Sequence, residues 1–293
     1  MFKNKKLIYI ILSLALVVIL AFTGIYLLWA QTKQPVPPSS DSEIAEAVPS
    51  PSPAESEQTV QAEVIYYDKS WYDGQIANYA DVILPYDSSN PSYLAETVFV
   101  GDSNTEGLAL FEHLAWSNVI ARHSMPIQEF LTDGYQLVCE DNPETEEDES
   151  QYITMLQVLA NIQPKRIIIN FGTNNAGKNA DSDYFVYLYA NVLSQIKLYC
   201  PNTQIVVAAV LPVCEKRGNY NIRQDVIDSF NISLAELCRT NGYGFLNYSE
   251  VFKDSATGYA DSGYFSSDGI HLNGSGYRVL LDYVTNHQYN IIS

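Results

Sequence analysis

Four residues of this chain have the types and neighbours needed to move an acyl group: Ser103, Asn174, Asp268 and His271. Ser103 ends the stretch "TVFVGDS", where four strand-like residues run into a Gly-Asp-Ser corner just before a helical segment. A hydroxyl at that corner meets the free N–H groups and partial positive charge of a helix start, which favour an oxyanion beside it. Helix capping is the plainer use of such a serine. Asn174 lies in "NFGTNNAG", where Asn and Gly commonly build turns and where a side-chain N–H could meet a developing oxyanion. Asp268 and His271, in "SSDGIHLNGSGY", are three residues apart, close enough for the carboxylate to orient the imidazole while the other ring nitrogen faces a serine. A capping Asp beside an exposed His is the alternative. The other histidines, His113, His123 and His287, lack such a neighbour on a loop predicted at the site. Together these residues make nucleophile, base with orienter, and oxyanion donor.

The elements that must position them are legible as alternation. The runs 97–100, 118–121, 166–171, 204–211 and 244–247 read as strands, and the third and fourth are nearly all apolar, as in central parallel strands covered on both faces. Helical segments are predicted near 105–115, 151–162, 183–199, 222–240 and 275–286, with Pro164 and Pro201 closing two of them. This order implies an α/β fold with a doubly wound parallel sheet, whose ligand site lies outside the carboxyl ends of the strands. All three motifs directly follow strands or precede helices at that end. No internal repeat interrupts the pattern.

The N-terminal region is different. Lys3, Lys5 and Lys6 form a basic tail over residues 1–6, followed by an uncharged apolar run over residues 7–30. As a helix this run would reach ~36 Å, enough for a ~30 Å hydrocarbon core. It reads as a transmembrane anchor. A cleaved signal peptide is the competing reading, but its apolar region is normally about 7–15 residues, and Leu28-Trp29-Ala30 lacks a small-x-small cleavage site. The lysines put the N-terminus inside and the rest of the chain, past a Pro/Ser/Glu-rich stalk over residues 31–61, outside the cell membrane. Residues 62–293 suit one domain.

The chain carries a formal charge of −18, and because the first thirty residues contribute three lysines and no acid, the rest carries −21. Such a domain repels phosphate polymers, which argues against nucleic acid as a partner. The acidic segment 140–150 reads as a solvated loop and lacks the alternating ligands and glycine of a calcium loop. Cys139, Cys200, Cys214 and Cys238 are dispersed with no Cys-x-x-Cys pair; outside a membrane they allow one or two disulfides, and buried thiols are the plain alternative.

The three blocks in order, "VFVGDSNTEGL", "INFGTNN" and "SSDGIHLN", resemble the SGNH hydrolases, also called GDSL esterases and lipases. The resemblance spans roughly residues 95 to 287. It implies a flavodoxin-like three-layer α/β/α fold with a five-stranded parallel sheet, Ser103 as nucleophile, His271 as base and Asp268 as its orienter. It also implies an oxyanion hole from the Ser103 N–H and the Asn174 side chain, with no metal or organic cofactor. The family's second block supplies a glycine N–H as a further donor. Here Ser124 stands at that point, able to replace it if its backbone angles suit a residue with a side chain, and Gly134 is the later candidate. The residue after Asn174 is often Asp in the family and is Asn175 here, a position that supports loop geometry more than chemistry. Asp102 of the Gly-Asp-Ser corner, Gly134 and Asn175 are the secondary candidates.

By analogy with family members of this kind, the expected substrate is an O-acetyl group on a cell-envelope or environmental carbohydrate. The 22 tyrosines would suit sugar stacking, although packing is their commoner use. Alternatives are an O-acyltransferase, a lipid-ester hydrolase and a non-catalytic wall-binding module. The partners implied are the ester substrate and, through the N-terminal helix, the membrane.

Overall fold

The apolar runs do become buried strands. The computed structural model describes residues 69–132, 135–137, 151–218 and 220–289. The chain divides into two units, Met1–Gln61 and Ala62–Ser293, and all described residues belong to the second. The run at 7–30, the stalk, the acidic segment at 140–150, Gly134 and Cys139 lie outside the described residues. Among the described residues, no helix is long and apolar enough to cross a membrane.

In chain order the elements are α1 (Lys69–Ile76), β1 (Thr97–Gly101), α2 (Ser103–Leu110), β2 (Val119–Ala121), β3 (Tyr135–Leu137), β4 (Gln151–Ile153), α3 (Met155–Ile162), β5 (Arg166–Asn170), α4 (Ser182–Tyr199), β6 (Gln204–Ala208), α5 (Gln224–Asn241), β7 (Gly244–Leu246), α6 (Ser249–Phe252) and α7 (Gly274–Asn286). Five strands form one sheet in the order β2-β1-β5-β6-β7, every neighbouring pair parallel. All five residues of β1 and of β5 are buried, because helices cover both faces and leave no side for polar alternation. The chain steps from β1 outward to β2 and then returns past β1 to β5. The crevice between the carboxyl ends of β1 and β5 is therefore the topological switch point of the sheet, where ligands of such folds bind.

The long helices are held by one apolar face each. Phe185, Tyr189, Val192, Leu193 and Ile196 of α4 recur at helical spacing and are buried, and Phe185 stacks on Phe230 of α5 with ring centroids 3.8 Å apart. α4 is capped by Asp181 and α3 by a reciprocal Thr154–Gln157 box. The prolines close α3 and α4 as expected: the helices end two residues before Pro164 and Pro201.

Several boundaries depart from the sequence reading. The helix expected at 105–115 runs from Ser103 to Leu110, because the Asp102 side chain caps it and Glu112 turns left-handed at φ 58°. In the segment expected as a helix at 151–162, the first three residues are instead β4, paired antiparallel with β3, and the helix starts only after the Thr154 cap. The strand expected to reach residue 211 leaves the ladder after Ala208. There the buried Asn231 amide accepts from the Val210 N–H at 2.7 Å and donates to the Val210 carbonyl at 3.0 Å, replacing the missing strand partner. Cys200, Cys214 and Cys238 are free, buried thiols, so no disulfide forms among the described residues.

Candidate active site

The Gly-Asp-Ser corner is dictated by close packing. A Cβ on Gly101 would lie 2.1 Å from Thr105 Oγ1 and 2.4 Å from the Asn170 carbonyl, so only glycine lets β1, β5 and α2 converge. The next residue caps α2 by accepting from the Asn104 N–H at 3.2 Å. Ser103 is then the first helical residue, and its N–H, like all first-turn donors, has no acceptor within the helix.

Opposite it lies the loop from Phe265 to Leu272, pinched by a bridge between those two residues and by Ser266 N–H donating to the His271 carbonyl. Asp268 Oδ1 accepts from the Ser266 hydroxyl at 2.8 Å and from the N–H groups of Ile270 and His271 at 2.9 and 3.0 Å. Its Oδ2 faces His271 Nδ1 at 2.7 Å. Partial burial would raise the Asp268 pKa, but the hydrogen bonds from the His271 ring, the two backbone N–H groups and Ser266 outweigh it and hold the carboxyl far below the usual carboxylate range. An ionised carboxylate can only accept, so Nδ1 carries the ring proton and Nε2 presents its lone pair. That lone pair meets Ser103 Oγ at 2.9 Å.

Asn104, which the sequence reading passed over, locks the two halves together. Its side chain donates to the Ile270 carbonyl at 3.3 Å and accepts from the Leu272 N–H at 3.1 Å, gripping the residues on either side of His271. Its only signal in the sequence was adjacency to Ser103.

The turn after β5 brings the third element to the same crevice. Gly172, at φ 144°, lets the chain reverse against Val210, and Asn174 reaches the mouth of the site. Its Nδ2 donates over 3.3 Å both to Asp102 Oδ2 and to the Met125 carbonyl. Asn175 points away: it accepts from the Ile127 N–H at 3.1 Å and donates to Gln128 Oε1 at 2.9 Å, clipping the turn to the segment after β2. In that segment Ser124 is exposed and sits at φ 58°, the left-handed region that favours glycine, while carrying a side chain.

Asp102 itself is 1 % exposed. Burial pushes its pKa up to about 7 against the opposing pulls of the Asn104 N–H, His271 and the Asn174 amide. Since the folded value exceeds the unfolded one, the neutral carboxyl stabilises the fold below the ordinary carboxyl range, and that stability is lost as pH rises through about 7. Asp102→Asn keeps the cap and cannot ionise. It is expected to gain stability over the wild type between pH 5 and 8, by on the order of 2–3 kcal/mol in paired denaturant titrations. A constant difference across that range would show that Asp102 is ionised throughout.

The model of the GDSL-like lipase/acylhydrolase family matches residues 99–279, from within β1 to within α7, and so spans Ser103, Asn174, Asp268 and His271. The chain belongs to the GDSL-like lipase/acylhydrolase family. It is an ester-hydrolysing serine hydrolase. Among solved structures, one from Streptococcus pneumonia, described as a platelet activating factor, is 21% identical with a TM-score of 0.50, the match covering 75% of this chain and 90% of that one. A GDSL-like lipase from Bacteroides thetaiotaomicron is 19% identical with a TM-score of 0.48, covering 73% and 94%. At 21% identity the first likeness is one of fold alone. A comparison with curated proteins finds no match. For this GDSL-like acylhydrolase the five-stranded parallel sheet flanked by helices is thus the SGNH hydrolase fold, with the Ser103–His271–Asp268 chain at its switch point.

Proposed function

We propose that this protein is an extracytoplasmic, membrane-anchored esterase that removes O-acetyl groups from carbohydrate, with Ser103, His271 and Asp268 as its catalytic triad. The observation that carries the mechanism is the unbroken chain from Ser103 Oγ through His271 to Asp268, at 2.9 and 2.7 Å. His271 Nε2 takes the hydroxyl proton as Oγ attacks the ester carbonyl carbon. The negative charge that develops on the carbonyl oxygen is received by the Ser103 N–H and by the Asn174 amide, which turns one of its two N–H groups away from Asp102 or the Met125 carbonyl, with the Ser124 N–H as third donor. The left-handed angle at Ser124 supports that last role, because the serine holds a backbone conformation that glycine favours, as a stand-in for the family's glycine would. The imidazolium, steadied by Asp268, returns its proton to the leaving alcohol oxygen. Water then attacks the acyl-serine with His271 as base, releasing the acid.

The choice of an acetylated carbohydrate is supported by the anchor-like run, the stalk-like composition and the strongly acidic chain, which suit a neutral polymer near a cell surface and disfavour anionic lipid heads. Screening O-acetylated oligosaccharides against 4-nitrophenyl esters of increasing chain length tests it. Turnover of the glycan esters with a preference for acetyl supports the proposal, and a preference for long chains overturns it. Asn174→Ala is expected to lower kcat by about 10²–10³-fold with little change in KM, because the donor is used mainly in the transition state. An effect on KM alone would remove Asn174 from the oxyanion hole.

A further inference from the structure

One wall of the Asp268–His271 loop faces a second space. A cleft of about 460 Å³ lies beyond the carboxyl ends of β6 and β7, in the size range of small-molecule sites and on the ligand edge of such a sheet. Three segments enclose it: residues 214–216 after β6, residues 254–262 after α6, and residues 265–269 of the loop that carries Asp268. The walls are fastened to one another and so are built in advance. Cys214 N–H donates to the Gly269 carbonyl, Ala260 N–H to the Val213 carbonyl and Asp261 N–H to the Phe252 carbonyl, at 2.8–2.9 Å.

The lining is oxygen-rich. Glu215, Asp254 and Asp261 bring carboxylates, Ser262 and Ser267 bring hydroxyls, and Tyr259 brings a half-buried ring. Asp254 Oδ1 is committed to the N–H groups of Ala256 and Thr257 and to the Thr257 hydroxyl, and Asp261 Oδ1 to the Gly263 N–H. Each carboxylate still has acceptor capacity on its other oxygen. A surplus of fixed acceptors beside an aromatic ring suits a ligand that offers many hydroxyl donors on a rigid, partly apolar frame. It opposes anions, because three carboxylates outnumber Lys216 and the Arg217 guanidinium that lies 5.7 Å from the centre of the Tyr259 ring, and it gives an acyl chain little to bury against.

We infer that this cleft is the subsite for the sugar half of the ester, holding a neutral saccharide through its hydroxyls beside the base that protonates its leaving oxygen. The inference rests on the carbohydrate-ester reading above. Neither Ser103 nor His271 lines the cleft; its wall includes Gly269, two residues from His271 in the same loop, and a sugar seated there would extend its esterified hydroxyl past that loop to Ser103.

The test uses the full chain and the double variant Glu215→Gln/Tyr259→Ala, neither residue being part of the triad or the oxyanion hole. Turnover is measured on 6-O-acetylglucose and on 4-nitrophenyl acetate, which has no sugar. The expected result is a loss of about tenfold or more in kcat/KM for 6-O-acetylglucose, carried by KM, with the 4-nitrophenyl acetate value kept within about twofold. No change on the sugar ester, or an equal loss on both esters, overturns the subsite. If the wild type cleaves 4-nitrophenyl acetate and ignores 6-O-acetylglucose, the carbohydrate-ester reading has failed, and calorimetric titration of Ser103→Ala protein with cellotriose decides the cleft alone. Binding that the Glu215/Tyr259 changes abolish supports a saccharide site. No binding, or binding indifferent to them, overturns it.

Discussion

Alanine in place of Ser103 is expected to lower ester turnover by on the order of 10⁴–10⁶-fold, the cost of removing the nucleophile from a triad, while the fold stays intact. The fold should not notice the change. The Ser103 side chain is only half-buried and its hydroxyl meets His271, whereas the helix cap belongs to Asp102 and the loop lock to Asn104. Alanine is also a better helix former than serine, so the unfolding free energy should move by no more than about 0.5 kcal/mol. The check combines 4-nitrophenyl acetate turnover with intact mass after a serine-reactive fluorophosphonate: one adduct on the wild type and none on the variant. Residual labelling of a folded Ser103→Ala protein would place the nucleophile elsewhere.

The second large effect lies away from the triad. Lys253 Nζ donates to both carboxylate oxygens of Asp228 at 2.6 and 2.7 Å, and both side chains are 0 % exposed. Gln224 donates to the same carboxylate at 2.8 Å, and the Tyr72 ring lies 4.4 Å from the ammonium. Burial alone pushes Asp228 up and Lys253 down, so each charge persists because the other is there. Lys253→Met is expected to cost about 3–5 kcal/mol at pH 8, because it strands a carboxylate in the core. The sign with pH follows. In the variant Asp228 has lost its cation, its folded pKa lies above the unfolded value, and stability returns as pH falls and the carboxyl is protonated. Denaturant titrations at pH 8 and pH 5 should therefore show the smaller loss at pH 5, and Asp228→Asn added to Lys253→Met should recover much of it at pH 8. Equal losses at both pH values would mean that packing, not charge, is what Lys253 contributes. The pair also bears on function: Lys253 bridges to Ala260 and begins the loop that encloses the cleft beside His271.

Much of the site was legible because its signals are local. Strand runs such as "RIIINF" announce themselves by unbroken apolarity, turns by Gly and Asn, and the Asp268–His271 pairing by a three-residue spacing within one loop. Whether the Ser124 backbone could stand in for a glycine could be posed from the sequence only as a condition on its angles. The β3–β4 pairing and the true start of α2 were not legible, because strand pairing and capping geometry override helical periodicity at segment ends. The end of β6 escaped for a related reason: Val207 and Val210 are equally apolar, and what separates them is a side chain 21 residues away.

By itself, then, the sequence determined the order of the five central strands and of the helices between and after them, the three blocks and the identity of the residues that could act, since each depends on chemistry carried within a few neighbouring positions. Tertiary structure decided what those residues meet. Ser103 and His271 are 168 positions apart, as are Asn104 and Leu272, and the burial that lifts Asp102 to about 7 arises only where β1, β5 and α2 converge. Such contacts and fields depend on distance in space, and the chain supplies that distance only once the sheet has closed around its switch point.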